Sequence, residues 1–311
     1  FASISDDRSE FNPARYYTYH ILIEEDKIDT VIFESVSFLR NAHQDFFPPF
    51  SSNKIGAVDP EALRFYNDKI IWSDEGLRQL QTGDTVLVNP RVFLAEKNGY
   101  FLDTFQLPDI FHMSANQSGP RNNGGFEGLA ISADKQFVYV STEEPLLNDG
   151  PRAGLGDSSA IVRIMKVEIK SKKAVAQFAY RIEPVAHPVN PPNGFRVNGI
   201  SDILFWDLDH LLVVERSYST GRLSCTIRVY LADISNAQDI SGINSLHNVP
   251  VSILPKKLLL NMDTLGVFTD NIEGVTFGPR LSNGKRSLIF IADNNFNPFE
   301  RNQLLLFEVN E

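Results

Sequence analysis

Acidic side chains recur in this sequence at corresponding points of a repeated pair of predicted strands. The first strand of each pair carries a carboxylate, and the second is an apolar run that ends on an acidic or amide residue. The pairs lie at 59–63 with 69–75, 126–130 with 136–144, 199–204 with 210–216, and 271–277 with 287–295. Carboxylate and amide oxygens are the ligands that the hard cation Ca²⁺ prefers. The recurrence predicts a cation site, provided that the strands bring the acids together.

Seven residues make up the predicted metal site, and all of them offer oxygen atoms. They are Asp6, Glu61, Glu127, Asp202, Glu273, Asp293 and Asn294. Where they converge we expect one or more calcium ions, because Ca²⁺ takes about six to eight oxygen ligands. A ring of carboxylates without metal, closed by arginine pairs and water, is the alternative.

Five further residues could act on a substrate beside such a metal. Arg8, Arg64 and Arg216 could form charge-assisted hydrogen bonds with an anionic group. A carboxylate that does not bind the metal, Glu75 or Glu144, could act as a general base. A bound metal could hold a phosphate or carboxylate of the substrate and polarise it for attack by water.

The elements that must position these residues are those of a β-propeller, an all-β fold of four-stranded blades. Two more strand-like runs follow each pair except the last, which is followed by one, and the repeat period is roughly 70 residues with few helical patterns. The first strand of every blade lines the central channel, where the acids would meet. The outer runs lie at 16–23, 30–36, 85–88, 100–105, 160–169, 174–182, 226–231, 258–260 and 303–309.

Five copies of the second strand predict five blades, and six is the alternative if a long connection hides a divergent blade. We assign all 311 residues to one domain, because blades bury their faces only against neighbouring blades. Residues 1–8 resemble a second strand without its first strand. We therefore expect that one channel-lining strand is missing from this chain.

Composition and charge exclude several classes of protein. The chain is 42% hydrophobic and 22% charged, which is typical of globular proteins. A net charge of −10 argues against non-specific nucleic-acid binding, which needs a basic surface. The single cysteine, Cys225, excludes an intrachain disulfide and a cysteine-based zinc site. No apolar stretch approaches the roughly 20 residues that cross a bilayer, so we expect no transmembrane segment.

Well-known catalytic motifs are absent. The sequence has no Gly-x-Ser-x-Gly, no His-Glu-x-x-His and no phosphate-binding glycine loop. Residues 156–158, Gly-Asp-Ser, are similar to the opening of a lipase block, but they lie between predicted propeller strands rather than at a strand-to-helix turn. The six histidines lie singly and far apart, so we expect them to be structural or surface residues.

Together the motifs resemble the phytase-like family, also called the "esterase-like activity of phytase" family. The resemblance spans essentially the whole chain and keeps the order of the motifs. It is carried by residues 5–8, 59–62, 123–130, 199–204, 211–216, 271–279 and 293–296. Two features depart from the family: its opening glycine-rich strand is absent, and Trp-Ser-Asp-Glu-Gly at 72–76 replaces the more usual Ser-Ser-Glu-Gly.

The resemblance implies a β-propeller and commonly an exported bacterial or plant protein, located outside the cell or in the periplasm. The family name implies hydrolysis of an ester or phosphoester, so we expect a metal-dependent hydrolase acting on a small anionic substrate. The alternative is a non-enzymatic propeller that binds a ligand or partner. Each Glu-Gly motif would then be structural, with Glu accepting N–H bonds from the next blade and Gly allowing close backbone approach.

Overall fold

Five antiparallel sheets surround a central channel in the computed structural model, which describes residues 1–310. The prediction of an all-β propeller with five blades is confirmed. We number the blades 1 to 5 in chain order. From blade 1 to blade 5 the innermost strands of consecutive blades contact one another, and these strands line the channel.

The blades differ in strand number. Blade 1 contains β1 (Ala2–Ile4), β2 (Arg15–Glu24) and β3 (Lys27–Phe38). Blade 2 contains β4 (Pro60–Tyr66), β5 (Lys69–Asp74), an inserted hairpin of β6 (Leu77–Gln81) and β7 (Asp84–Val88), then β8 (Arg91–Glu96) and β9 (Phe101–Thr104). Blade 3 contains β10 (Phe126–Ile131), β11 (Phe137–Thr142), β12 (Ala160–Glu168) and β13 (Lys173–Ile182). Blade 4 contains β14 (Arg196–Asp207), β15 (His210–Ser219), β16 (Thr226–Asp233) and β17 (Lys256–Asn261), and blade 5 contains β18 (Asn271–Phe277), β19 (Ser287–Asp293) and β20 (Leu304–Glu308).

Helical structure is limited to short 3-10 turns. They lie at Asp109–Phe111, Leu147–Asp149 and Met262–Leu265. Within residues 1–310, none of these turns has the length or the apolar character that a membrane-crossing helix requires.

One predicted strand has a different role. The sequence predicts residues 85–88 as the third strand of blade 2, but they belong to the β6–β7 hairpin, where Gln81 pairs with Asp84. Gly83 has a positive φ of 84° and so allows the tight turn that joins the two strands. The third strand is instead β8, which pairs with β5. An alternating apolar pattern does not by itself show whether a strand joins the main sheet of its blade or forms a separate hairpin with the strand next to it in sequence.

The second strand of each blade explains the apolar runs in the sequence. Ile70 and Ile71 on β5 are fully buried, as are Val138 and Val140 on β11, because adjacent blades cover both faces of the sheet. Separate apolar cores lie between blades 1 and 2, 2 and 3, 3 and 4, and 4 and 5. Packing between neighbouring blades therefore holds the ring together.

Blades 5 and 1 meet differently. The described residues form no shared apolar core there, and a cleft of about 920 Å³ separates the two sheets. The sheets touch at both ends of the cleft: the rings of Phe11 and Phe296 lie 4.7 Å apart, and Ser282 N donates to Asp26 Oδ1 at 2.8 Å. Apolar side chains on the walls include Tyr19, Ile21, Ile289 and Ile291.

Candidate functional site

The acidic residues lie together at one end of the channel. Because each inner strand is antiparallel to the second strand of its blade, the start of one lies beside the end of the other. Pro60 is opposite Asp74, and Asn271 is opposite Asp293. The carboxylates that the sequence places at strand starts and strand ends therefore share this end, which we call the acidic end.

A β-bulge near the start of the inner strand in blades 2 to 5 directs side chains at the acidic end. The pairing register shifts between Pro60 and Leu63, and again at the equivalent point of blades 3, 4 and 5. A bulge re-aims the side chain of the extra residue, and bulges are common beside active sites. The bulges contain Glu61, Glu127, Ser201 and Glu273.

The first acidic group consists of Asp6, Asp59 and Glu61. Each residue offers a carboxylate oxygen, and these oxygens lie within 4.8 Å of one another. Asp59 is 4% exposed, and its Oδ1 is buried without a hydrogen-bond partner in residues 1–310. Its Oδ2 accepts a hydrogen bond from Arg8 Nε at 2.7 Å. A buried oxygen without a donor leaves room for a cation or a proton.

The pKa values of Asp6 and Glu61, two members of the first group, are raised. Burial is the largest cause of the raised pKa of Asp6, and the charge of Asp59 raises it further. Burial also raises the pKa of Glu61, followed by repulsion from Glu127 and Asp6. Carboxylates this close to one another hold protons unless a cation neutralises them.

The second acidic group consists of Glu75, Glu127 and Glu143. All three side chains are buried, and their nearest oxygens again lie within 4.8 Å of one another. Burial is the largest cause of the raised pKa of Glu75 and of Glu127, and Asp59 and Glu143, respectively, raise them further. Because Glu127 also raises the pKa of Glu61, the two groups interact electrostatically.

Two arginines neutralise part of this charge. Arg8 pairs with Asp59, as described above. Arg216 Nη2 donates to Glu143 Oε1 at 2.7 Å, and its Nη1 donates to Glu273 Oε1. Burial raises the pKa of Glu273 to about 7 even though Arg216 opposes the shift. Arg216 thus links blades 3, 4 and 5 and leaves the first group with Arg8 as its paired cation.

Some acids also connect the blades. Glu75 Oε1 accepts a hydrogen bond from Gly125 N, on the next blade, at 2.9 Å. A Cβ on Gly125 would lie 2.8 Å from Glu75 Cγ, and a Cβ on Gly199 would lie 2.5 Å from Glu143 Cγ. The structural role that the sequence offers as an alternative is therefore present at Glu75, where glycine permits the close approach.

Asp202 lies outside both acidic groups. Its carboxylate oxygens accept hydrogen bonds from Arg64 Nη2 at 2.7 and 2.6 Å, and one also accepts from Val275 N at 2.9 Å. Burial raises its pKa, and Arg64 opposes that shift. The structure therefore gives Asp202 a different environment from the other predicted ligands, with both oxygens already engaged.

Three other predicted ligands lie beside the first group. Glu273, Asp293 and Asn294 line the cleft between blades 5 and 1 together with Asp6 and Glu61. Asp293 Oδ2 is buried without a hydrogen-bond partner among the described residues, and burial raises the pKa of this carboxyl. The cleft thus leads from the outer surface of the ring to the acidic end.

Glu144 follows Glu143 of the second group in sequence, but its side chain contacts other residues. Its side chain is 1% exposed, and Arg152 Nη2 lies 2.8 Å from Oε2. Neither oxygen has a partner with hydrogen-bond geometry in residues 1–310. Burial and the charge of Glu143 raise its pKa to about 7, although Arg152 and Arg121 oppose the shift.

Sequence reasoning missed three residues of the acidic end. Asp59 and Glu143 complete the two groups, and each lies within a strand pair that the repeat defines. Ser201 occupies the bulge of blade 4, and its buried Oγ lacks a hydrogen-bond partner in the described part of the chain. An acidic residue beside each repeat motif was the available signal for the first two, whereas the bulge register gives no signal in the sequence.

The donor set of the first group fits a hard cation. It offers carboxylate oxygens, one of them buried and without a donor, and it places further oxygens of Asp293 and Asn294 along the same cleft. Ca²⁺ is bound by such oxygens, mostly from carboxylates and carbonyl groups. Histidine and cysteine, which zinc favours, are absent from both groups.

Comparison with known proteins agrees with this picture of a propeller. The model of the phytase-like family, described as esterase-like activity of phytase, matches residues 1–296. The chain belongs to the phytase-like family. The match includes every residue of both acidic groups.

A curated relative is an "Uncharacterized secreted protein" of the fungus Arthroderma benhamiae. It is 26% identical to this chain over 219 residues, which cover 62% of this chain and 41% of that protein. The chain therefore matches less than half the length of this relative. The likeness carries no information about an activity, because the relative's own description names none.

Proposed function

We propose that the protein is an exported, calcium-dependent hydrolase that acts on a small anionic ester or phosphoester at the acidic end of the channel. The observation that carries the proposal is the first acidic group. Asp59 Oδ1 is buried there without a donor, and a carboxylate oxygen of Asp59 lies within 4.8 Å of oxygens from Asp6 and Glu61. A site that keeps three carboxylates together against their repulsion is suited to a divalent cation.

The residues that would hold calcium are Asp6, Asp59 and Glu61, with Asp293 and Asn294 as further oxygen donors from the cleft. Calcium bound there supplies a Lewis acid that polarises an ester or phosphoester oxygen. Glu127 and Glu273 belong to the same acidic end and lower the local potential further. Asp202, with both oxygens engaged by Arg64 and Val275 N, fixes the neighbouring strands instead.

The two arginines orient the substrate in this proposal. Arg8 is held by Asp59 and by Asn123 Oδ1, which accepts from its Nη2 at 3.2 Å. Arg216 is held by Glu143 and Glu273. Guanidinium groups fixed in this way can share remaining N–H donors with a phosphate or carboxylate without losing much side-chain entropy.

Proton transfer falls to a carboxyl outside the metal ligands. Glu144 is buried, and its pKa of about 7 lets it both accept and donate a proton near neutral pH. Glu75 is the other candidate for a general base, but its Oε1 already accepts the Gly125 N–H. We therefore assign the role to Glu144 first and to Glu75 second.

Export is the second part of the proposal. The family resemblance implies an extracellular or periplasmic protein, and the fungal relative is described as secreted. Millimolar calcium outside cells would allow even a weak site to be filled, since extracellular modules bind calcium with dissociation constants of roughly 10⁻⁴ to 10⁻³ M.

A turnover screen tests the proposed function. Purified protein would be assayed with chromogenic phosphate and carboxylate esters in chelator and after calcium is added back. We expect calcium-dependent turnover in the wild type and at least about a tenfold lower rate in Asp59→Asn. The matched control is Asp209→Asn, in an exposed turn at the opposite end of the channel, which should keep the wild-type rate.

A metal-free binding propeller is the second candidate, and two observations favour it. Arg8 and Arg216 already pair with Asp59, Glu143 and Glu273, and Glu75 accepts a backbone N–H from the next blade. These contacts satisfy part of the acidic end without any ion. No turnover on either ester class, together with no calcium binding, would favour this candidate over the hydrolase.

A further inference from the structure

The guanidinium group of Arg121 is held by main-chain oxygens and not by a carboxylate. Its Nε donates to Pro145 O at 2.9 Å, and its Nη2 donates to Gly150 O at 2.6 Å. These two bonds fix the guanidinium against the loop that follows β11. A carbonyl oxygen does not neutralise the cation, so Arg121 keeps its full positive charge.

Arg78 is held in the same way from the other side. Its Nε donates to Ser114 O at 2.8 Å and its Nη2 to Asn116 O at 3.0 Å. Asn122 Oδ1 accepts from Arg78 N at 3.3 Å, which ties the start of the β6–β7 hairpin to the loop that carries Arg121. Within residues 1–310, neither Arg78 nor Arg121 forms an ion pair with a carboxylate.

Arg152, unlike Arg78 and Arg121, pairs with a carboxylate, that of Glu144. Its Nη2 lies 2.8 Å from Glu144 Oε2, and its side chain is 38% exposed. Arg78 and Arg152 both help to lower the pKa of Arg121, after burial, which is the larger cause. The contrast with Arg8 and Arg216 is clear, because each of those is paired with carboxylates on neighbouring blades.

We propose that Arg78, Arg121 and Arg152 form an oxyanion subsite that takes a phosphate or carboxylate group of the ligand. Guanidinium groups bind both kinds of group through charge-assisted, often bidentate hydrogen bonds. Each still has N–H donors beyond those used on the loop carbonyls. An anion among them would relieve the repulsion between three like charges, which the single carboxylate of Glu144 balances only in part.

The subsite lies directly beside the second acidic group. A Cβ on Gly124 would be 2.6 Å from Glu144 Oε2, and the adjacent Gly125 donates its N–H to Glu75 Oε1. Two glycines therefore separate the arginine group from the carboxylates. The inference rests on the proposed function and deepens it: the substrate would carry an anionic group in the subsite in addition to the ester that is hydrolysed.

Calorimetric titration with inorganic phosphate tests the subsite. The protein is treated with chelator, so that phosphate cannot bind through a metal, and wild type is compared with Arg121→Met and Arg78→Met. We expect phosphate affinity to fall at least about tenfold in each variant. The matched control is Arg280→Met, because Arg280 also donates to a main-chain oxygen, Gly284 O at 2.7 Å, but in the β18–β19 turn at the opposite end of the channel.

The outcomes separate the subsite from the proposed function. No phosphate binding by wild type, or equal losses in Arg280→Met and Arg121→Met, would overturn the subsite. Lost phosphate binding in Arg121→Met with no ester turnover in wild type would keep the subsite and reject the hydrolase. Because Arg121→Met removes two loop contacts, Arg121→Lys with an unchanged melting temperature serves as a second variant, and competition by acetate distinguishes a carboxylate from a phosphate site.

Discussion

Arg64 and Asp202 are 138 residues apart in sequence, yet Arg64 Nη2 donates to both carboxylate oxygens of Asp202 at 2.7 and 2.6 Å. Arg64 belongs to the inner strand of blade 2 and Asp202 to that of blade 4, so the pair bridges blades that are not neighbours. The same guanidinium nitrogen donates to Ile203 O at 3.0 Å, and Asp202 also accepts from Val275 N on blade 5. One ion pair thus fixes three blades around the channel.

Breaking this pair should destabilise the ring without affecting the acidic groups. Asp202 is 2% exposed and its partner Arg64 is 20% exposed, so Asp202→Ala leaves a largely buried cation without its carboxylate. We expect the free energy of unfolding to fall by about 3 kcal/mol, measured by denaturant unfolding. Calcium affinity should stay close to the wild-type value.

The matched control for this prediction is Asp103→Ala. Asp103 pairs with Lys172 at 2.9 Å, but both side chains are substantially exposed, and such surface pairs contribute about 1 kcal/mol or less. An Asp202→Ala protein that is no less stable than Asp103→Ala would show that the bridge is not important for the ring.

The sequence predicted the blades because their apolar runs and acidic strand ends repeat. Ile70, Ile71, Val138 and Val140 are buried on both faces of their strands, which the uninterrupted apolar pattern already indicated. The convergence of Asp6, Glu61 and Glu127 at one end followed from the antiparallel pairing of strands within each blade. Those predictions depend on local pattern and on the geometry of the fold.

Strand register and the choice of pairing partner could not be predicted from the sequence. The bulge of blade 4 contains Ser201, so Asp202, the next residue, faces Arg64 instead of the acidic groups. Residues 85–88 pair with their neighbours in sequence and form the inserted hairpin. The environment of Asp202 depends on a register shift of one residue, and the pairing of residues 85–88 depends on which of two equally apolar strands lies beside them. Tertiary packing determines both.

Calcium should stabilise the protein through the first acidic group. Binding to the folded state alone contributes about 2.7 kcal/mol at a hundredfold excess over the dissociation constant. We expect a thermal melt in chelator to shift upward when calcium is added. Asp59→Asn should lose most of the shift, because it removes the negative charge and replaces one carboxylate oxygen with an NH2 group. A full calcium shift in Asp59→Asn would place the ion elsewhere.

Stability in chelator should fall as the pH rises from about 5 to 8. Glu144 and Glu273 have folded pKa values of about 7, above their ordinary value of 4.5, so between these values the folded state binds more protons than the unfolded state. The free energy of unfolding then decreases by about 1.4 kcal/mol per pH unit for each such proton. Below pH 4.5 both states are protonated, and this contribution to stability is complete.

The comparison of wild type with Glu273→Gln isolates that effect from other titrations. Gln cannot ionise, so the variant should gain stability relative to wild type as the pH rises from about 4.5 to about 7. The measurement is the difference between their unfolding free energies at pH 5 and pH 8 in chelator. A constant difference across this range would mean that Glu273 titrates normally in the folded protein.

Glu144→Gln should lower kcat while leaving binding of the substrate nearly unchanged. The amide keeps the shape of the buried side chain but cannot accept a proton, and removing a general base typically lowers the rate by about 10² to 10⁴. Gly124 leaves no free space around Glu144 Oε2, since a Cβ there would lie 2.6 Å away, so the nearly isosteric change is the informative one. Glu75→Gln is the matched comparison, because its carboxyl is equally buried but already accepts the Gly125 N–H. A larger loss of kcat in Glu75→Gln than in Glu144→Gln would assign proton transfer to Glu75. The pH at which kcat falls by half should follow the pKa of the residue that transfers the proton.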